Sequence, residues 1–125
     1  MARLEHVNIT VSDPQRAAKL MDTLFGWKIR WEGASIHGGY TIHVGDSDDY
    51  LAFYTPPKTT EATAVSYDIL GGLNHVALVV DDLDAVEARV LNAGLKTSNH
   101  ADYEPGRRFY FHDHDDIEYE IVSYA

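Results

Sequence analysis

Two histidines, His6 and His75, stand 69 residues apart in closely matching surroundings: Leu4, Val7, Val11 and Asp13 around the first correspond to Leu73, Val76, Val80 and Asp82 around the second. A carboxylate, Glu120, lies in the last strand-like stretch of the chain. Imidazole nitrogens and carboxylate oxygens hold borderline divalent ions, and two His with one carboxylate leave coordination positions open for water or a substrate. His6, His75 and Glu120 are therefore the candidate ligands of a divalent metal ion, with Fe, Mn, Zn and Ni all compatible. A lone strand histidine is ordinarily a packed or hydrogen-bonded residue, and a terminal-strand Glu is ordinarily solvated. Recurrence at equivalent positions is what sets this pair apart.

The elements that must position these residues repeat with them. After the His6 segment, Asp13 is an N-cap, Pro14 suits the first helical position, Ala17, Leu20, Met21 and Leu24 form one stripe, and Gly26 ends the helix. After the His75 segment, a second helix runs from Asp82 through Leu83, Val86 and Val90 to Gly94. Each helix is followed by three strand patterns, at 27–32, 40–44 and 50–55, then at 95–99, 107–112 and 117–124. The later strands also correspond, residues 39–44 matching 106–111 at an offset of 67, each followed by three aspartates. The chain thus reads as one α+β domain over 1–125, made of two tandem βαβββ modules, 1–55 and 73–125. The stretch 56–72, with Pro56, Pro57, Gly71 and Gly72, joins them.

Strand alternation sorts the side chains by face. Val7, Ile9 and Val11 are expected in the core, leaving His6, Asn8 and Thr10 on the other face. The same parity buries Val76, Leu78 and Val80 and leaves His75, Ala77 and Val79 opposite. In the last strand Ile117, Tyr119 and Ile121 point inward, with Glu118, Glu120 and Val122 opposite. All three candidate ligands fall on the faces away from the helices.

The paired units of strand plus acidic cap, with the closing run from Gly106 through Asp113 to Glu120, resemble the vicinal oxygen chelate superfamily over nearly the whole chain. Its members include glyoxalase I, extradiol dioxygenases, fosfomycin-resistance enzymes and bleomycin-binding proteins. The resemblance implies the glyoxalase-like fold, in which two modules curl their sheets into an open curved barrel around a cleft. There His6, His75 and Glu120 would converge on one ion that chelates vicinal oxygens of a small substrate and stabilises an oxyanion or enediolate. Isomerisation, ring opening and nucleophilic addition share that set of ligands, so lyase, isomerase, dioxygenase and transferase chemistry all stay open. The alternative is a metal-free small-molecule binder of the bleomycin-resistance type, with Trp27, Trp31, Tyr40 and Tyr54 as walls, although strand aromatics are more often core. At the 67-residue offset Glu120 falls on Phe53, where glyoxalase I enzymes supply a fourth ligand, so Phe53 is expected to wall the cleft instead. Tyr110, Asp113 and Glu120 fit the extradiol frame, but His114 and Asp116 stand where Pro and Gly are usual.

Around the candidate metal, His43 and its counterpart Tyr110 are candidates for proton transfer. Arg108, Asn8, Thr41 and Phe53 are candidates for substrate contact, Arg108 through an anionic group. Each of these is equally compatible with a solvated or packed barrel residue. A net charge of −10, with 10 Lys and Arg against 20 Asp and Glu, excludes the clustered basic surface that nucleic acid requires. No apolar run reaches the length of a membrane span. With no signal-like opening segment and no cysteine, a cytoplasmic location is expected. The resemblance further implies a homodimer.

Overall fold

Asp13 and Asp82 each start a helix in the computed structural model, which describes residues 1–103 and 106–125. The Asp13 carboxylate accepts from the Arg16 amide at 3.1 Å, and that of Asp82 from the Ala85 amide at 3.0 Å, satisfying amides that have no intrahelical partner. The helices are α1 (Pro14–Phe25) and α2 (Leu83–Asn92). Gly26 ends α1 at φ 70, and Gly94, two residues beyond the end of α2, has φ 86, the left-handed backbone that glycine adopts without penalty.

Two compact units result, Met1–Glu61 and Ala62–Ala125. The first contains β1 (His6–Thr10), α1, β2 (Lys28–Ala34), β3 (Tyr40–Gly45) and β4 (Tyr50–Thr55). The second contains β5 (Val76–Val79), α2, β6 (Thr97–Tyr103), β7 (Gly106–His112) and β8 (Glu118–Ser123). Each is a βαβββ module whose four strands form a mixed sheet, ordered β1-β4-β3-β2 and β5-β8-β7-β6. The first strand of each pairs in parallel with the last and the remaining pairs are antiparallel. The α+β architecture of two tandem modules is the one expected. No helix among the described residues is long and apolar enough to cross a membrane.

In the first unit the α1 stripe of Ala17, Leu20, Met21 and Leu24 is buried, against a sheet face whose buried members include Ile9, Ile42, Val44 and Leu51. In the second, Leu83, Val86 and Val90 of α2 are buried together with Leu78, Phe109, Phe111, Tyr119 and Ile121. Phe111 and Tyr119 stack with ring centroids 5.1 Å apart.

The edge strands depart most from the expected bounds, β2 running to Ala34 and β6 covering Thr97–Tyr103. Both are mostly exposed along their length, so burial imposes no alternation on their sequence. Both also carry a register shift, between Ile29 and Trp31 and between Ser98 and Ala101, a bulge that breaks a period-two pattern.

One assignment is corrected. Phe53 pairs in register with Ile9 of β1 and Ile42 of β3 and is fully buried, so it belongs to the helix-covered core face and does not wall the cleft face. Ala52, paired with Asn8 and His43, is the true counterpart of Glu120, which pairs with Ala77 and Tyr110. The reason lies in the hairpins. The turn after β3 closes with Asp46 N–H donating to Asp49 O, whereas that after β7 closes with Asp113 N–H donating to Ile117 O, one residue longer. An offset read from β3 and β7 therefore slips by one residue in the strand that follows, and a slip of one changes face.

Candidate functional site

Glu120 sits on β8 between β5 and β7, which is why it meets side chains from both neighbours. From β7, Arg108 Nη1 donates to its Oε1 at 3.0 Å and the Tyr110 hydroxyl donates to the same oxygen at 2.9 Å. Its other oxygen, Oε2, lies 3.5 Å from His75 Nε2, just ahead of β5. Glu120 is 8% exposed, so these partners replace water around a carboxylate that would be costly to bury alone. The Arg108 guanidinium lies 5.1 Å from the Tyr103 ring centroid, and His75 and Tyr110 meet edge to face at 5.8 Å.

The other side of His75 is held by Tyr67, from the stretch that joins the two modules. A 3₁₀ turn over Ser66–Asp68 brings the Tyr67 hydroxyl within 3.2 Å of His75 Nδ1 and 2.7 Å of Glu118 Oε2. The hydrogen bond to Glu118 pushes the Tyr67 hydroxyl pKa up to about 12, so Tyr67 keeps its proton at neutral pH. Burial, and then the bond to Glu120, also push Tyr110 upward. Tyr110 is thus a protonated donor rather than a base. Tyr67 and Glu118 had no signal in strand parity beyond the position of Glu118 on the same face as Glu120.

In the first unit His6 and His43 share one sheet face with Tyr50 and Trp31. Tyr50 stacks on His6 at 4.9 Å and on His43 at 4.5 Å, and Trp31 lies 5.1 Å from His43. The Arg30 guanidinium sits over the Tyr50 ring at 4.5 Å, a cation–π contact. His6 Nδ1 is 2.9 Å from Glu5 Oε1, which also accepts from the Tyr50 hydroxyl at 3.1 Å. A carboxylate can only accept, so the Nδ1 of His6 carries the proton and its Nε2 is left with the lone pair in the neutral ring. Burial, then the charges of His6 and Arg30, hold the His43 pKa below the usual imidazole range; its neutral form can accept a proton.

Of the remaining candidates, Asn8 is exposed on the His6 face of β1. Thr41 is buried, and its hydroxyl has no hydrogen-bond partner among the described residues. Among the aromatics considered as walls, Trp31 joins the His6 cluster. Trp27 packs on Phe25 at 5.8 Å, while the Tyr40 and Tyr54 hydroxyls donate to Glu32 Oε1 and Ile36 O at 2.7 and 2.9 Å. Within each unit, among the described residues, no three His, Asp or Glu side chains gather as a ligand set. The structure brings His75 and Glu120 together in the second unit, while His6 lies in the first.

The model of the Glyoxalase/Bleomycin resistance protein/Dioxygenase superfamily matches residues 3–121, and the chain belongs to that superfamily. Solved structures with the same fold include a glyoxylase/bleomycin resistance protein/dioxygenase domain from Frankia sp. EAN1pec, 20% identical over 98% of both chains with a TM-score of 0.82. The fosfomycin resistance protein FosX from Mesorhizobium loti is 22% identical over 98% of this chain and 91% of its own, with a TM-score of 0.74. The E126Q mutant of FosX from Listeria monocytogenes, complexed with Mn(II) and 1S,2S-dihydroxypropylphosphonic acid, is 16% identical over 98% and 92%, also at 0.74. No curated protein sequence matches the chain.

Proposed function

We propose that this chain is a divalent-metal enzyme acting on a small substrate with two neighbouring oxygens, with His6, His75 and Glu120 as the metal ligands. The observation that carries this reading is the contact between His75 Nε2 and Glu120 Oε2 at 3.5 Å. Two donors at that separation can both reach one ion at ligand lengths of about 2.0–2.2 Å. Glu120 Oε1 is already occupied by Arg108 and Tyr110, which leaves Oε2 as the coordinating atom. His6, the repeat counterpart of His75, has its Nδ1 held by Glu5, the kind of outer contact that orients metal-binding imidazoles.

A bound divalent ion would supply Lewis acidity to the substrate oxygens. The chain's own groups supply the rest. Arg108, beside Glu120, offers its remaining guanidinium N–H groups to an anionic or oxygen-rich substrate, while the Tyr110 hydroxyl, its one proton on Glu120 Oε1, holds that carboxylate in place. His43, neutral at physiological pH, can take up a proton. Support for metal use comes also from the Mn(II) complex of the Listeria FosX. Superfamily membership supports a small-molecule substrate and a homodimer.

The test is metal analysis and calorimetry on the purified chain after exposure to Mn²⁺, Fe²⁺, Zn²⁺ and Ni²⁺ in turn. About one ion per chain is expected, with binding weakened by His6→Ala and by His75→Ala. Protein that stays metal-free throughout would favour the bleomycin-resistance-type binding protein, a reading to which the closed Arg108–Glu120 ion pair lends support.

A further inference from the structure

A phenol has one proton to give. Tyr67 gives it to Glu118 Oε2 at 2.7 Å, so its 3.2 Å contact with His75 Nδ1 must run in the opposite sense, from the imidazole N–H to the phenol oxygen. We infer that Tyr67, itself anchored by Glu118, is a positioning residue that fixes His75 as the Nδ1–H tautomer and turns the Nε2 lone pair toward Glu120.

The consequence follows from the two possible neutral tautomers. With the proton on Nε2, the ring would direct an N–H at Glu120 Oε2 and have no lone pair there for an ion. With the proton on Nδ1, a nitrogen lone pair and a carboxylate oxygen face one another across 3.5 Å, an arrangement that attracts a cation. This use of the tautomer rests on the metal-enzyme reading above; the tautomer itself does not.

The connecting stretch is built to place Tyr67. Its turn is closed by Asp68 N–H donating to Val65 O at 3.0 Å, Ile69 N–H to Ser66 O at 3.2 Å, and Gly72 N–H to Ile69 O at 2.9 Å. A Cβ on Gly72 would stand 2.3 Å from the Ser66 carbonyl oxygen, so only glycine allows the chain to fold back so closely on the turn that carries Tyr67. His6 achieves the same end in the first unit through Glu5, with a carboxylate acting directly where the second unit interposes a phenol.

The experiment compares two substitutions at Glu118 in the full chain, read by long-range ¹H–¹⁵N NMR of histidine-labelled apo protein at pH 8 and by calorimetry with Zn²⁺. Glu118→Gln keeps a side-chain carbonyl to accept from Tyr67, so His75 should remain the Nδ1–H tautomer with Zn²⁺ affinity within about twofold of wild type. Glu118→Leu removes that acceptor and frees the Tyr67 hydroxyl to turn its proton onto Nδ1. His75 should then shift toward the Nε2–H tautomer, and Zn²⁺ affinity should fall about tenfold, the lower end for outer-sphere partners of a metal-bound His, because Tyr67 is exposed. Tyr67→Phe, which replaces no residue of the sheet, should give a tautomer mixture and a similar loss.

An unchanged Nδ1–H signal in both Glu118→Leu and Tyr67→Phe would overturn the inference. If the tautomers respond as described but wild type binds none of the metals, the positioning role stands and the metal-enzyme reading falls.

Discussion

Phe53 lies directly across from Ile42 in the β3–β4 ladder, and both side chains are fully buried. Its neighbour Ala52 lies across from His43 and faces the other way. The two positions therefore answer differently to a carboxylate. Phe53→Glu removes a buried ring, worth about 3–5 kcal/mol, and leaves an unpaired carboxylate in an apolar core at further cost. Against a total stability of order 5–15 kcal/mol, that variant should lose its cooperative thermal transition. Ala52→Glu, also at a buried position but on the face of His43 and at the repeat counterpart of Glu120, should fold with a lowered melting temperature, and added Zn²⁺ or Mn²⁺ should raise that temperature more than it raises that of wild type. Metal-dependent stabilisation of Phe53→Glu alone would contradict the register.

The same pair shows how far the sequence could be read. Parity in β1 and β5 was legible because one face is continuously apolar and less exposed than the other, and the helices because their caps are chemically explicit at Asp13, Pro14, Gly26, Asp82 and Gly94. Parity in β4 was not legible, since Leu51, Ala52 and Phe53 are all buried and offer no contrast between faces. There the reading leaned on the repeat offset, which a hairpin one residue longer had already shifted. The pairing of His75 with Glu120 could be anticipated from face alone. The roles of Tyr67 and Glu5 could not, because they act through single hydrogen bonds, one of them from a segment with no periodicity.

The titration of His43 has a sign that its neighbours set. Burial, His6 and Arg30 lower its pKa while Glu5 raises it, so an NMR titration should place His43 below the unperturbed value of about 6.5. Arg30→Gln should move the midpoint up and Glu5→Gln should move it down. Because the unfolded chain takes up this proton first, His43 contributes a loss of stability as pH falls from about 6.5 toward the lowered folded value, and no further slope below it. A midpoint that moves in neither variant would show that burial alone sets it.

Asp113 behaves in the opposite sense. Burial raises its pKa, although its carboxylate accepts from the Asp115 and Ile117 amides at 2.9 Å each. The folded state therefore takes up a proton before the unfolded state does as pH falls, and wild type gains stability from this group between the raised folded pKa and the unfolded value of about 3.9. Asp113→Asn keeps a carbonyl for both amides and carries no charge. Its melting temperature should compare most favourably with wild type at pH 7, and that advantage should shrink as pH is lowered toward 4. An advantage that grows on acidification would show that the amide bonds, and not burial, dominate this carboxylate.

Glu120 and Arg108 form an ion pair at 3.0 Å with both side chains largely buried, and replacing either should destabilise the apo protein. Leaving one buried charge without its partner costs about 3–5 kcal/mol in an interior and less where water reaches it. Their effects on metal should diverge. Glu120→Gln keeps a carbonyl for Arg108 and Tyr110 but replaces the one anionic ligand of the proposed set, so Zn²⁺ affinity should fall by about 100-fold or more. Arg108→Gln removes a cation that competes for the Glu120 charge and repels a divalent ion, so Zn²⁺ affinity should rise severalfold even as the apo protein melts earlier. Calorimetry with Zn²⁺ on the two variants, alongside thermal melts without metal, reads both quantities separately. If Glu120→Gln leaves metal affinity unchanged, Glu120 serves only as the partner of Arg108 and is not a ligand, whatever the melting temperatures do.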